Sequence, residues 1–347
     1  MMRLKEFSYH LPEELIAQQP HVDRDISRMM VVDRESGSIE NRFFFEIPEY
    51  FKNGDVMVVN NSRVIPARLI GKKATGGMLE ILLLSRRGVY TSTSQRWEVL
   101  LRPAKRVGIG SRIFFDEGCK AEVIERISDK NWVLRFEAKI GFDNFLERHG
   151  RAPLPPYIKR SRGGEKSLHD IERYQTVYAG IPGSVAAPTA GLHFSPSILT
   201  ILKDKGVDIA PITLHVGYGT FRPIETEYVE DHTMEEESFE IDTEAAGIIN
   251  RAERVIAVGT TSTRALESAA GDCGRVKKTS GRTGLFIYPG YHFKKIDMLL
   301  TNFHLPQSSL FVLVCAFAGK DLTQKVYREA VNERYRFYSY GDCMLIL

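Results

Sequence analysis

The chain has 347 residues, 43% of them apolar and 26% charged, with a net charge of +3. That length exceeds the usual single core, so two domains are expected, and the composition excludes disordered and fibrous classes. The longest apolar run, residues 310–318, falls far short of the roughly 20 residues that span a bilayer. Leu15-Ile16-Ala17 lies among glutamates and glutamines rather than in a signal-peptide core, so a cytoplasmic location without membrane association is expected.

In chain order, residues 12–19 read as a short helix and 29–33 as a strand closed by Arg34-Glu35-Ser36-Gly37. The apolar run at 56–59 stops at Asn60-Asn61-Ser62-Arg63. Short β segments then follow at 69–70, 78–84, 97–101, 112–115, 121–127 and 132–136, separated by turn clusters, which argues for a small barrel or sandwich. The expected organisation is an α/β domain, 1–61 plus 149–347, with a β-barrel domain inserted at 62–148. From Ser62 to Arg112 eleven Lys and Arg stand against two Glu, a local excess of +9 that suits a polyanion or, more blandly, a solvated barrel face. Pro103-Ala104-Lys105-Arg106 is its sharpest part.

Residues 150–157 are a proline-stiffened crossover, 161–166 a polar loop, and 174–178 a strand or helix start. Pro188-Thr189-Ala190-Gly191-Leu192-His193-Phe194 precedes a helix over 196–205, capped by Ser195 and ended by Lys205-Gly206. A strand over 207–216 sets Ile212, Leu214 and Val216 on one face and Thr213 and His215 on the other, and runs into Gly217-Tyr218-Gly219. The acidic stretch 225–244 reads as a solvated helix face apart from His232. The strand at 254–259 ends in Thr260-Thr261-Ser262-Thr263-Arg264 before a helix over 265–269. The strand at 298–300 ends in Thr301-Asn302-Phe303-His304 before a helix capped by Ser308 and stopped by Gly319. Strands alternating with helices imply a mainly parallel sheet, with its polar tips converging on one cleft.

The 260–264 segment suits a carboxylate or phosphate at a helix N-terminus, or simply caps the helix. His193, His215 and His304 lack metal-site spacing, so no metal is expected. The glycines at 217 and 219 are half of a dinucleotide fingerprint. Cys119, Cys273, Cys315 and Cys343 are scattered and read as free thiols.

With these motifs the chain resembles, over essentially its whole length, the S-adenosylmethionine:tRNA ribosyltransferase-isomerase family of queuosine biosynthesis. The resemblance rests on Leu15-Ile16-Ala17-Gln18, Arg24 to Arg28, the segment from Asn60 to Leu69, Pro103-Ala104-Lys105-Arg106 and Leu154-Pro155-Pro156-Tyr157-Ile158. It continues through Tyr174-Gln175-Thr176-Val177-Tyr178, the segments around His193 and His215, Val258 to Arg264, Phe286-Ile287-Tyr288-Pro289-Gly290 and Thr301 to Pro306. In the family's His-x-Met-His pattern, His232 and Met234 match, while Glu235 stands where the second histidine would be.

The resemblance implies an α/β domain with an inserted barrel, and transfer and isomerisation of the ribosyl part of S-adenosylmethionine onto 7-aminomethyl-7-deazaguanine at the tRNA wobble position. Adenine and methionine leave, epoxyqueuosine forms, and S-adenosylmethionine is consumed rather than held as a cofactor. Within the matching motifs, His193 and His215 are expected to transfer protons. Thr189, Gly191, Gly217, Thr260, Thr261, Ser262, Arg264, Asn302 and His304 are expected to bind S-adenosylmethionine, with Thr261, Ser262 and Arg264 on its carboxylate. Arg24, Arg28, Asn61, Arg63, Arg68, Lys105 and Arg106 are expected to contact tRNA. A monomer is expected. The rival readings are a non-catalytic RNA-binding protein using the basic barrel and a nucleotide-dependent oxidoreductase.

Overall fold

The structure, a computed structural model, describes residues 1–105, 107–160, 168–221 and 223–347. Arg106 and the loop at 161–166 lie outside the described residues. The chain opens with β1 (Arg28–Val32), β2 (Ile39–Phe43), β3 (Asp55–Asn60) and the short β4 (Ser62–Val64).

Six antiparallel strands follow: β5 (Arg68–Lys73), β6 (Met78–Arg87), β7 (Ser94–Arg102), β8 (Arg112–Phe114), β9 (Lys120–Arg126) and β10 (Asn131–Glu137). They close into a barrel in the order β10-β7-β6-β5-β8-β9. Alternation fills it: Leu79, Ile81 and Leu83 of β6 and Trp97, Val99 and Leu101 of β7 are buried, while Arg87, Arg96 and Arg102 face water. Helix α1 (Phe142–His149) adds Phe142, Phe145 and Leu146 to that core. The segments leading into and out of the barrel are stitched together, Arg68 N–H to the Arg151 carbonyl at 3.2 Å and Arg151 N–H to that of Arg68 at 2.8 Å. Glycine is required beside this crossing, because a Cβ at Gly150 would lie 2.1 Å from the Pro66 carbonyl oxygen.

The rest of the chain supplies α2 (Leu168–Arg173), β11 (Ile181–Ser184), α3 (Pro196–Asp204), β12 (Asp208–Leu214), β13 (Glu237–Ile241), α4 (Thr243–Arg251) and β14 (Arg254–Val258). Then come α5 (Gly259–Ala269), β15 (Thr279–Thr283), β16 (Met298–Asn302), α6 (Ser309–Ala318), α7 (Lys320–Asn332) and β17 (Cys343–Ile346). The main sheet runs β15-β13-β12-β3-β14-β16-β17-β1-β2. Its centre, β12-β3-β14-β16, is parallel. β17 lies antiparallel to β16, and β13, β15 and β2 are antiparallel to their neighbours, so the sheet is mixed.

The central strands are covered on both faces, which is why they read as unbroken apolar runs. Val255 and Ala257 of β14 pack in the layer of α4, α5, α6 and α7, whereas Ile256 and Val258 pack with Ile198 and Leu202 of α3. Two sequence expectations are corrected. Part of the acidic stretch is not a solvated helix face but strand β13, where Glu237, Phe239 and Ile241 are buried in strict alternation. The helix expected at 265 begins at Gly259, whose φ of +89° turns strand directly into helix.

Candidate active site

At the carboxyl ends of β12, β14 and β16 lies a cavity of about 180 Å³ that opens to solvent, where an open α/β sheet receives a ligand. Its walls are residues 187–190, Val216 and Thr220, the first turn of α5, residues 301–302 and 304–306, and an aromatic side made by Tyr157 and Tyr338. Because no loop separates β14 from α5, the unpaired N–H groups of that helix start at the cavity wall, a favourable place for an anion.

Three polar atoms of this wall, Thr261 Oγ1, Asn302 Oδ1 and the Tyr338 hydroxyl, are buried with no hydrogen-bond partner among the described residues. Each such atom costs about 1–3 kcal/mol unless a guest satisfies it. Tyr338 also holds a left-handed backbone, φ +74°, a strain that clusters at ligand sites.

Asn302 is held in one orientation. Its amide nitrogen donates to the carbonyls of Tyr338 at 3.1 Å and Asp342 at 3.4 Å, and because carbonyls only accept, the amide cannot be flipped. The same nitrogen lies 3.1 Å from His193 Nε2; with two hydrogens for three acceptors the 3.4 Å Asp342 contact is the weakest, and Nε2, facing a nitrogen that only donates, accepts. His193 Nδ1, 2.7 Å from Ser27 Oγ, then carries the ring proton. His193 is thus a neutral imidazole with both nitrogens engaged, and burial pushes its pKa down to about 4, with Asp342 opposing and His21, Arg24 and Arg336 assisting.

This depression has a testable sign. A histidine titrating near 6.5 in the unfolded chain and about 4 in the fold gives stability that is complete above pH 6.5 and is lost as pH falls through 4, on the order of 3 kcal/mol. Urea unfolding at pH 7 and pH 4.5 should show a drop in midpoint that shrinks in His193→Gln; an equal drop in the variant would refute the assignment.

His304 lines the cavity, with Nε2 2.7 Å from Thr301 Oγ1 and its main-chain N–H donating to the Tyr327 hydroxyl at 3.1 Å. Burial lowers its pKa to about 3. His215 is elsewhere. Val216 faces the cavity, so strand alternation turns His215 away, against Gly183, where an added Cβ would meet its ring at 2.6 Å. The expectation that all three histidine-bearing tips share one cleft is corrected accordingly.

Of the residues expected on S-adenosylmethionine, Thr189, Thr260, Thr261, Asn302 and His304 line the cavity. Gly191 is packed under Tyr178, and Gly217 donates its N–H to Glu237 Oε1 at 2.8 Å. Ser262 turns back to the Val258 carbonyl at 2.8 Å. Arg264 is only 3% exposed and pairs with Glu237 Oε2 at 2.5 Å, its Nε reaching the Leu285 carbonyl at 2.9 Å. Its guanidinium therefore anchors the 217–220 loop through Glu237.

Of the residues expected on tRNA, Arg63 and Lys105 are exposed. Arg68 pairs with Glu80 at 3.4 Å and caps the Leu154 carbonyl at 2.7 Å, Arg28 caps the Glu333 carbonyl at 2.6 Å, and Asn61 accepts from the Thr213 hydroxyl at 2.7 Å. Arg24 donates to main-chain carbonyls alone. Sequence reasoning missed Tyr157, Tyr338 and Ser339 as cavity residues. The segment before β17 has no periodicity, and its signal was only a cluster of Tyr, Ser and Gly.

Residues 4–346 match the family model described as queuosine biosynthesis protein. An S-adenosylmethionine:tRNA ribosyltransferase-isomerase of Syntrophus aciditrophicus is 56% identical, with 100% of each chain covered. One of Geobacter metallireducens is 51% identical, covering 99% of this chain and 100% of its own. The crystal structure of an S-adenosylmethionine tRNA ribosyltransferase from Thermotoga maritima is 38% identical, with a TM-score of 0.55 over 99% of this chain and 100% of that one.

Proposed function

Since the chain belongs to the queuosine biosynthesis protein family and is an S-adenosylmethionine:tRNA ribosyltransferase-isomerase, we propose that its chemistry takes place in the cavity at the ends of β12, β14 and β16. The observation that carries this is the trio of unpaired buried atoms on Thr261, Asn302 and Tyr338 in an otherwise largely apolar chamber. S-adenosylmethionine has complementary groups: a carboxylate for the N-terminus of α5 and Thr261, and amino and hydroxyl donors for Asn302 Oδ1.

The sulfonium acidifies the adjacent ribose carbon, so removal of one proton starts the reaction, and the departing adenine needs a proton in return. Of the three histidines, His304 takes the proton-transfer role expected of His193 and His215, because it alone lines the cavity and leaves Nδ1 without a partner among the described residues. The aminomethyl-deazaguanine of the tRNA enters the same chamber as acceptor, and the walls exclude water from the intermediate. The exposed Lys105 and Arg63 supply positive charge toward the tRNA backbone.

The test is adenine and methionine release from S-adenosylmethionine with tRNA carrying the aminomethyl-deazaguanine, against unmodified tRNA. Release is expected only with the modified tRNA, and His304→Ala is expected to lower it about 10²- to 10⁴-fold, the usual worth of a positioned proton carrier. Wild-type turnover in the variant would remove His304 from the proton path, and no release by the wild type despite tRNA binding would favour a binding module.

A further inference from the structure

A second, smaller cleft meets the cavity at Ser339 and is bounded by His21, Asp23, Arg24, Arg173, Tyr340 and Gly341. Its arginines are held in an unusual way. Arg24 donates to the carbonyls of Leu192 at 3.1 Å and Glu172 at 3.3 Å, and Arg173 to those of Val22 at 2.7 Å and His21 at 2.6 Å. Outside the lining, Arg336, whose charge also bears on His193, caps the Gln19 carbonyl. Backbone carbonyls fix a guanidinium in place but do not neutralise it. Among the described residues none of these three arginines has a carboxylate partner within ion-pair distance.

The nearby acids act on these groups without pairing with them: Glu172 on Arg24 and Asp342 on Arg336, while Asp170 is paired with Arg160. Asp342 accepts the main-chain N–H groups of Arg28 and Arg336, both at distances under 3 Å, and stands 3.5 Å from His21 Nε2, while Asp23 is exposed at the rim. Burial and then the neighbouring Arg173 push Arg24 below the usual guanidinium range, with Glu172 opposing. Two donors of the lining, Arg173 Nε and the Tyr340 hydroxyl, are buried with no hydrogen-bond partner among the described residues. A small cleft with two guanidiniums held by carbonyls rather than by carboxylates, and with idle donors, is complementary to an oxyanion, and forked guanidinium donors fit a phosphate.

We propose that this cleft is an oxyanion subsite that takes a phosphodiester of the tRNA, fixing the nucleic acid on the α/β domain beside the cavity that receives the wobble base. The proposal rests on the reading that modified tRNA is the second substrate. The other available oxyanion, the carboxylate of S-adenosylmethionine, has the N-terminus of α5 inside the cavity.

The experiment measures tRNA dissociation constants across a salt series, and the Michaelis constant for S-adenosylmethionine, in wild type, Arg173→Ala and Tyr340→Phe. Arg173→Ala should weaken tRNA binding about tenfold and reduce the slope of log affinity against log salt by about one. Tyr340→Phe, which leaves the carbonyl caps intact, should weaken binding about threefold with the slope kept, as loss of one hydrogen bond to an anion would. The S-adenosylmethionine constant should stay at the wild-type value in both. Unchanged tRNA affinity in a folded Arg173→Ala protein would overturn the proposal. If that variant melts early, unchanged affinity in Tyr340→Phe would overturn it instead. A raised S-adenosylmethionine constant with unaltered tRNA binding would give the cleft to the carboxylate. Binding is read without turnover, so failure of the proposed reaction, seen as no adenine release by wild type, is separate from failure of the subsite.

Discussion

Asn302→Ala is expected to lower the rate of adenine release by about 10²- to 10³-fold while tRNA binding stays within about twofold of wild type, an effect of the size seen when a preorganised polar group at a reacting centre is removed. The side chain leaves one oxygen unpaired at the cavity wall and uses its nitrogen to hold His193 and the Tyr338 and Asp342 carbonyls. Loss of Oδ1 removes an acceptor whose position was set before substrate arrived, so the change should fall on kcat as well as on KM. The fold should survive, because the backbone of β16 remains paired to β14 and β17. The design of the site also fixes what His193 does. An imidazole with Nδ1 on Ser27 and Nε2 accepting from Asn302 has no lone pair for a substrate proton, so it acts by holding Asn302. His193→Ala should therefore slow release less than Asn302→Ala does, leave the pH profile of kcat unshifted, and add nothing when combined with it. Additive losses, or a missing limb in the pH profile, would restore His193 to the proton path; release by Asn302→Ala at the wild-type rate would remove Asn302 from the site.

What the sequence showed of this arrangement follows the reach of each signal. The continuous apolar runs at 56–59 and 254–258 belong to strands covered on both faces, and the texture of short strands over 69–136 corresponds to the closed barrel. Alternation correctly set His215 and Val216 on opposite faces, but only the packing of Gly183 on the imidazole decides which face meets the cavity. Arg264 was legible as a cation near a helix start, and the start itself was misplaced. With the helix beginning at Gly259, position 264 lies more than a turn inside, beneath the site, where it meets a carboxylate 27 residues away. That partner was hidden in a stretch so rich in Glu that its alternating burial at Glu237, Phe239 and Ile241 was overlooked. Tyr338 could not be placed, since its strained turn is imposed by the Asn302 and Phe303 contacts and not by local preference.

Arg264→Ala should be among the most destabilising single changes in the protein, by about 3–5 kcal/mol, because it strands Glu237 as a buried charge. Both side chains of the pair are at most 5% exposed. Glu237 also accepts the Gly217 N–H at 2.8 Å and the Thr220 hydroxyl at 3.1 Å, so its repulsion or displacement disturbs the loop that carries Thr220 to the cavity. The readout can be localised. Both tryptophans, Trp97 in β7 and Trp132 in β10, are in the barrel, whereas among the described residues every α-helix except α1 lies outside it. In urea the circular dichroism transition should shift to lower denaturant more than the tryptophan fluorescence transition does. Removing both charges separates the buried ion from the lost contact. Arg264→Met with Glu237→Gln retains an acceptor for Gly217 and Thr220, and should recover more than half of the lost stability together with most of the adenine release. If the double variant is as unstable as Arg264→Ala, the damage comes from lost packing around the guanidinium stem and its carbonyl partners, and the stranded-charge account is wrong. If it is stable but inactive, Arg264 meets substrate after all, in a conformation in which the Glu237 pair has opened.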